Sequence, residues 1–305
     1  MTLEWGGVYP ATSLSFKPDF SIDEDDYRKF LRWLKAHAGL AGVLCNGHTG
    51  EVTSLDRDER RRVIEITASE GWRVMTGIQC EGTLEAIQQC QDAKRAGAHA
   101  ALIMPPHHWL RFGKSADDVY RHFALIADAV ELDLVVHQYP SNSKASYTTP
   151  ELLRLASIPR VKAMKIGTRD MARVEVDYRL IKKDFPRIAY LSCHDEYLLP
   201  SLVQGGTDGV VLGCASLVPD LIVAMVRAVA RQDLPAALAV EEKLYPMVRY
   251  VYGMGEPSGA AHQRLKEALY LRGIVTSPVV RPPLETFGTA KRDQLQSELQ
   301  AIGFI

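Results

Sequence analysis

Features that this sequence lacks exclude several classes of protein. It carries 36 basic and 37 acidic residues, a formal net charge of −1, so no overall positive field attracts nucleic acid or an anionic membrane surface. Its longest apolar stretches, such as Leu221–Met225, are far too short to cross a bilayer. Residues Met1–Gly7 have neither the basic nor the apolar region of a signal peptide. We therefore expect no nucleic-acid partner, no membrane partner and no export signal.

Cysteine is scarce and unpaired in sequence. The five cysteines stand at positions 45, 80, 90, 193 and 214, an odd number, and none belongs to a C-x-x-C pair. A disulfide framework or a zinc site built on cysteine would need paired spacings. This pattern predicts free thiols in a cytoplasmic protein.

Cofactor motifs are missing as well. No G-x-G-x-x-G follows the first predicted strand, which argues against a dinucleotide-binding domain. Histidines lie at four predicted strand ends, but no H-x-H or H-E-x-x-H spacing accompanies them, so we predict no metal site.

The sequence does contain a regular alternation of short apolar segments with amphipathic ones, within a composition that is 47% hydrophobic. The eight predicted strands are Gly7–Ala11, Gly42–Cys45, Val74–Gln79, Ala100–Met104, Leu134–Tyr139, Val161–Ile166, Ile188–Ser192 and Gly209–Leu212. Most are apolar on both faces, as in a parallel sheet covered by helices. Eight strand–helix units predict an α/β protein with a closed (β/α)₈ barrel, and an open doubly wound sheet is the alternative.

The last part of the chain has helical patterning without clear strands. We therefore divide the chain into a barrel over residues 1–232 and an all-helical extension over residues 233–305. Within the extension, Pro278–Pro283 predicts a loop and residues 291–301 a final helix.

Lys165 is the most informative residue. By the two-residue period of a strand it shares a face with Val161 and Ala163, inside a buried strand. A desolvated lysine loses part of its preference for the charged form, and the neutral amine is a nucleophile toward carbonyl carbon. The alternative is a strand-end lysine that is paired with a carboxylate.

Other unusual residues follow the strands at the barrel end where active sites lie. After the second strand, Gly47 and Gly50 would let the backbone approach a ligand, and the Thr49 hydroxyl could bind a carboxylate. On the fifth strand, alternation puts His137 and Tyr139 on one face, which we expect to point inward. For the loop, the alternative is an ordinary turn with a capping threonine. For His137, the alternative is a hydrogen-bonded core histidine.

These segments resemble the dihydrodipicolinate synthase/N-acetylneuraminate lyase family of Schiff-base-forming barrels. The matches are Gly47–Glu51 to the G-[ST]-T-G-E loop, Pro140 after the fifth strand, Lys165, and Gly209–Val211 at the start of the eighth strand. The resemblance spans the barrel from about residue 7 to residue 216 and includes the helical extension.

The resemblance implies a class I enzyme that acts on a 2-oxo acid without an external cofactor. It implies that Lys165 forms the imine, and that the G-x-T-G loop holds the substrate's carboxylate. The implied substrate-binding residues are Gly47, His48, Thr49, Gly50, Asn142 and Val211. It also implies a homotetramer.

Four positions depart from the family pattern. One is the fourth-strand tyrosine that often crosses a subunit interface, which is replaced within Pro106–His108. His137 stands where the family has its proton-relaying tyrosine, with Tyr139 two residues later; His48 replaces the first hydroxyl residue of the loop. Asn142 replaces the arginine that binds the second substrate's carboxylate in the synthase. We therefore expect His137 to shuttle protons, with Tyr139 as a further candidate, and the distal pocket to be changed.

These observations favour a class I lyase, either an aldolase or a dehydratase of a 2-oxo acid. One alternative is a condensing enzyme of the dihydrodipicolinate synthase type. The other is a non-catalytic barrel that binds a 2-oxo acid or sugar acid as a sensor. Retention of Lys165 favours an enzyme, because a catalytically dead relative would be expected to lose its lysine.

Overall fold

A computed structural model describes residues 3–204, 206–253 and 259–305. Its strands are β1 (Gly7–Pro10), β2 (Val43–Cys45), β3 (Val74–Ile78), β4 (Ala100–Ile103), β5 (Asp133–Gln138), β6 (Val161–Ile166), β7 (Ala189–Ser192) and β8 (Gly209–Leu212). All are parallel, in the order β1-β8-β7-β6-β5-β4-β3-β2. Single parallel bridges at Val8–Leu40 and Ala11–Leu44 join β1 to the β2 side. The predicted (β/α)₈ barrel is confirmed, and the open sheet was the wrong alternative.

Helices surround the barrel and continue beyond it. They are α1 (Glu24–Lys35), α2 (Arg57–Ser69), α3 (Thr83–Arg95), α4 (His107–Phe112), α5 (Ala116–Ala129), α6 (Thr149–Ala156), α7 (Met171–Asp184), α8 (Leu198–Gln204), α9 (Pro219–Ala230), α10 (Leu234–Val251), α11 (Gly259–Leu271) and α12 (Thr289–Ala301). No helix among the described residues is long and apolar enough to cross a membrane. Helix α4 was not predicted from the sequence.

Local sequence explains where several helices begin. Three of them start with a capping box, in which the cap side chain and the third helical residue bond each other's backbone N–H. The pairs are Asp56 with Glu59 at α2, Ser115 with Asp118 at α5, and Thr148 with Glu151 at α6. These caps satisfy N–H groups that a helix start leaves without intrahelical partners.

The barrel interior is filled by side chains from alternate strand positions. The buried inner cluster consists of Trp5, Tyr9, Ala11, Leu44, Val52, Met75, Ala100, Leu102, Met104, Val135, Ala163, Ala189, Leu191 and Val211. Trp5 belongs to the end where the strands begin: its indole donates to Asp133 at 2.8 Å, and Arg73 lies 3.7 Å over its ring. The interior is thus a packed core, and open space lies near the strands' carboxyl ends.

The extension packs on the barrel and returns to its mouth. Helix α10, which Asp233 caps, lies against α9. Between α11 and α12 the chain runs back through residues 276–284, called the returning segment here. Its Thr276 N–H donates to both oxygens of buried Asp26, at 3.0 and 3.1 Å. The division at residues 232 and 233 falls in the turn between α9 and α10, and as a domain boundary it stays a prediction.

Candidate active site

A cavity of about 570 Å³ opens at the carboxyl ends of the strands. Side chains from the ends of β2, β5, β6, β7 and β8 line it, together with residues of the helical extension. This is the end of a (β/α)₈ barrel where active sites lie.

Lys165 reaches this cavity from β6 and is 8% exposed. It forms no ion pair or hydrogen bond with any residue that the structure describes. Burial lowers the pKa of its amine, although the nearby Cys193 and Asp195 oppose that shift. The alternative of a lysine paired with a carboxylate therefore does not describe this residue.

The prediction that alternate residues of β6 share one face is correct for only part of the strand. Ala163 belongs to the inner cluster, but Val161 packs in the outer core between the barrel and the helices. The cause is an irregularity: Leu134 pairs with Val161, whereas the next residue of β5 pairs with Ala163. A bulge adds one residue to a strand and changes which residues share a face. The prediction that Val161 shares the face of Lys165 was wrong.

His137, Tyr139 and His48 lie together beside Lys165. His137 is the register partner of Lys165 across β5 and β6. Its ring centre is 5.0 Å from that of Tyr139 and 5.8 Å from that of His48. The Tyr139 hydroxyl and His48 Nε2 are 3.2 Å apart. Gln138 points away, and its side-chain amide bonds the backbone of Tyr147 in both directions at 2.8 Å.

Burial decides the protonation of this group. It lowers the pKa of His48 to about 3 and that of His137 well below the usual range, and the charge of Lys165 adds to both shifts. Burial likewise raises the pKa of Tyr139. His137 Nδ1 is buried without a hydrogen-bond partner among the described residues. At neutral pH the site therefore holds two neutral imidazoles and a protonated phenol, which can exchange protons with a bound molecule.

The loop after β2 reaches the cavity through its side chains. Thr49 and His48 line the space, and the Thr49 hydroxyl has no hydrogen-bond partner among the described residues. Gly47 and Gly50 are not among the described lining residues. At Gly50 a Cβ would lie 3.0 Å from the Thr12 carbonyl oxygen, so close backbone packing accounts for this glycine.

The outer part of the cavity contains a compensated charge. Asn142 is exposed at the rim. Arg169 directs one guanidinium nitrogen to both oxygens of Glu196, at 2.9 and 3.1 Å, and another to the Gly167 carbonyl at 2.6 Å. Val211 lines the cavity from β8. A positive charge is present near the rim, but a carboxylate already neutralises it.

Several lining residues were missed by the sequence analysis. Burial raises the pKa of Asp195 to about 6, against hydrogen bonds from the backbone of Gly213 and Cys214. Tyr252 and His262 come from the extension, and burial lowers the pKa of His262 to about 4. Asp195 follows His194 at the end of the seventh strand, one of the four histidine-bearing strand ends, so its position in the sequence was a usable signal. No signal in the sequence pointed to Tyr252 and His262, because only the packing of the extension brings them to the barrel mouth.

The four histidine-bearing strand ends do not converge. His48 and His137 line the cavity, whereas His194 Nε2 donates to the Thr168 carbonyl at 2.7 Å inside the protein. His107 lies on α4 beside Glu81, with a ring nitrogen 3.0 Å from its carboxylate. In the described parts of the chain, no group of three or more histidine, cysteine, aspartate or glutamate residues could hold a metal ion.

Comparison with known proteins agrees with this geometry. A model of the dihydrodipicolinate synthetase family matches residues 4–302. The 4-hydroxy-tetrahydrodipicolinate synthase of Haloarcula marismortui is 31% identical over 303 residues, which cover 98% of this chain and 94% of the relative. An uncharacterized DapA-like lyase of Thermococcus kodakarensis is 28% identical over 303 residues, covering 96% and 98%.

Solved structures share the fold. YagE, an E. coli K12 prophage protein of the dihydrodipicolinic acid synthase family determined in complex with pyruvate, superposes with a TM-score of 0.89 at 23% identity. That match covers 99% of this chain and 100% of the other. The family model spans almost the whole chain, and the barrel mouth carries a buried lysine without a partner in the part of the chain that the structure describes. This protein therefore belongs to the dihydrodipicolinate synthetase family of lyase-type enzymes.

Proposed function

We propose that this enzyme is a class I lyase that acts on a 2-oxo acid through an imine on Lys165. The observation that carries the proposal is the buried amine of Lys165, which has no ion-pair or hydrogen-bond partner among the described residues and lies beside the neutral imidazole of His137. The amine would attack C2 of the 2-oxo acid, and loss of water would give an iminium. In a dehydratase, a base would take the C3 proton to give an enamine, which would then expel a C4 hydroxyl as water. In an aldolase, a base would take the C4 hydroxyl proton while the C3–C4 bond breaks, which releases an aldehyde and leaves an enamine. In both cases the iminium is the electron acceptor.

Proton transfer would fall to His137, with Tyr139 and His48 beside it. A neutral imidazole can take the proton released when the imine forms and return it to the leaving hydroxyl or to the enamine carbon. The low pKa of His137 supports the base form before reaction. The Tyr139 hydroxyl contacts His48 and so offers a path between the two imidazoles.

Thr49 would bind the substrate's carboxylate, because it lines the cavity and its hydroxyl has no hydrogen-bond partner among the described residues. The outer pocket suits a partner without a carboxylate. Asn142 carries no charge, and the charge of Arg169 is taken up by Glu196. This argues for an aldolase or dehydratase with a neutral distal group.

A condensing synthase is the second candidate, because curated relatives carry that name. Steady-state kinetics with pyruvate and aspartate semialdehyde separates the two. We expect weak condensation by the wild type. Glu196→Gln should raise it by about tenfold, since Arg169 is then free for a charged hydrogen bond. Efficient condensation by the wild-type enzyme would establish the synthase instead.

Borohydride trapping tests the imine directly. The protein is reduced in the presence of pyruvate and of a panel of other 2-oxo acids, and peptides are then read by mass. We expect one adduct, on Lys165. Lys162 of the same strand is the internal control, because it lies outside the described cavity lining and should stay unmodified. An adduct elsewhere, or none with any 2-oxo acid, would contradict the class I chemistry.

We further propose a homotetramer in the cytoplasm. Exposed Leu110 and Phe112 on α4 offer apolar surface for contact between copies, and all five cysteines are free thiols. Sedimentation at micromolar concentration tests the assembly, and a monomer would contradict it. Fractionation of cells that express the protein tests the location.

A further inference from the structure

Glu51 is a buried carboxylate two residues after Thr49, in the loop after β2. Its backbone lies in the left-handed region, with φ of 56°, and 5% of the residue is exposed. Both carboxylate oxygens bind the helical extension. Lys266 Nζ donates to Oε1, and the Arg281 N–H donates to Oε2 at 2.8 Å. A left-handed backbone costs a residue such as glutamate free energy, so surrounding contacts must hold this conformation.

Lys266 is as enclosed as its partner. It lies on α11, it is 2% exposed, and its Nζ also donates to the Val279 carbonyl at 2.9 Å. Burial lowers the pKa of its amine, and the Glu51 carboxylate opposes that shift. The same helix carries His262 one turn earlier, on the cavity side. One buried ion pair thus joins the loop of Thr49 to the helix of His262.

The returning segment binds the same loop a second time. The Arg281 guanidinium donates to both oxygens of Glu59 and, at 2.8 Å, to the Ser54 carbonyl. Ser54 in turn donates its hydroxyl to the Glu51 carbonyl at 2.8 Å. The extension therefore holds residues 51–54 from outside the barrel, next to the residue that would bind the substrate's carboxylate.

We propose that Glu51 is a positioning residue for this carboxylate subsite, and that Lys266 makes the helical extension part of the site. The inference rests on the proposed function, in which Thr49 binds the carboxylate of a 2-oxo acid. Glu51 would fix the loop so that the Thr49 hydroxyl stays directed into the cavity. A buried ion pair is often no more stabilising than an apolar pair, so specificity of geometry is the better account of its presence.

The test is Glu51→Gln, which keeps the size of the side chain and removes its charge. We expect KM for the 2-oxo acid to rise by about tenfold, equivalent to about 1.4 kcal/mol, while kcat stays within about twofold. Lys266→Met, which leaves the Glu51 bond to Arg281, should raise KM in the same direction. If Glu51→Gln does not fold, Lys266→Met carries the test alone.

Asp26→Asn is the matched control. Asp26 is another buried carboxylate that binds the returning segment, through Thr276, but it does not contact the loop of Thr49. This variant should lower the melting temperature and leave KM unchanged. If Glu51→Gln and Lys266→Met lower the melting temperature and leave KM at the wild-type value, the pair is structural only and the inference is wrong.

Binding of propionate tests the carboxylate subsite independently of imine formation. Propionate has a carboxylate and no ketone, so it reports on the subsite without Schiff-base formation. By ligand-observed NMR we expect Glu51→Gln to weaken its binding. Weaker binding together with failed trapping in the wild type would support the subsite and overturn the proposed chemistry. Unchanged propionate affinity would overturn the subsite inference.

Discussion

The two ends of the barrel interior are built on opposite principles. Where the strands begin, apolar side chains fill the space, and Trp5 is fully paired through its indole N–H with Asp133. Where the strands end, a lysine and two histidines surround a cavity, and His137 Nδ1 and Arg169 Nε are buried without partners among the described residues. Buried polar atoms without partners cost stability. The first end therefore stabilises the barrel, whereas the second gives up some stability to keep polar groups at the cavity.

The largest difference between the two ends is expected from Lys165→Met. We expect turnover to fall by about 10⁴-fold or more, because the proposed nucleophile is lost. The free energy of unfolding should rise by about 1 kcal/mol, because a buried unpaired amine becomes an apolar side chain. Assays of turnover and urea unfolding measure both. Lys162→Met is the control and should change neither activity nor trapping, whereas a destabilised Lys165→Met would mean that the amine has a structural partner.

His137→Phe should remove proton transfer while leaving the cavity wall apolar. We expect turnover to fall by about 10²–10⁴-fold, with borohydride trapping on Lys165 partly retained. His122→Phe is the matched control, because His122 is also buried but lies on α5 outside the cavity lining. Its turnover should stay near the wild-type value. Near-normal turnover in His137→Phe would make His137 a core residue.

Met75→Ala tests the packed core of the barrel interior. Met75 is fully buried in the inner cluster and lies outside the described cavity lining, although its register partner Leu44 lines the cavity. Its truncation should lower the free energy of unfolding by about 2–5 kcal/mol, through lost burial and a cavity. Below the unfolding transition, kcat/KM should stay within about twofold of the wild-type value. A large loss of kcat/KM would show that the two ends are coupled.

Acid should lower the free energy of unfolding through His48, which lines the cavity. Its pKa is about 6.5 in the unfolded chain and about 3 in the folded protein. Between these values the unfolded chain binds more protons, so the contribution of His48 is fully present above pH 6.5 and is lost as the pH falls toward 3. From pH 6.5 to 4.5 the wild type should lose about 2 kcal/mol more than His48→Gln. Urea unfolding at both pH values measures this, and equal losses would refute the buried neutral imidazole.

Local periodicity accounts for the predicted strands and for the predicted direction of the side chains on the fifth strand. Alternation on β5 placed His137 and Tyr139 in the cavity and Gln138 outside it, since neighbouring strand residues point to opposite faces. The same rule was wrong for Val161, because the bulge between β5 and β6 depends on the partner strand. Pattern therefore predicts a side chain's direction only where both strands remain regular.

By itself, the sequence determined the eight strand–helix units and the inward placement of Lys165, His137 and Tyr139. The short repeats of strands and helices carry that information in neighbouring residues. Tertiary structure alone decided that Glu51 meets Lys266, that His262 faces the cavity, and that Glu196 neutralises Arg169. These partners come from segments that lie far apart in the chain or on separate strand ends. Their meeting depends on how the extension and the strand-end loops pack, which no local pattern encodes.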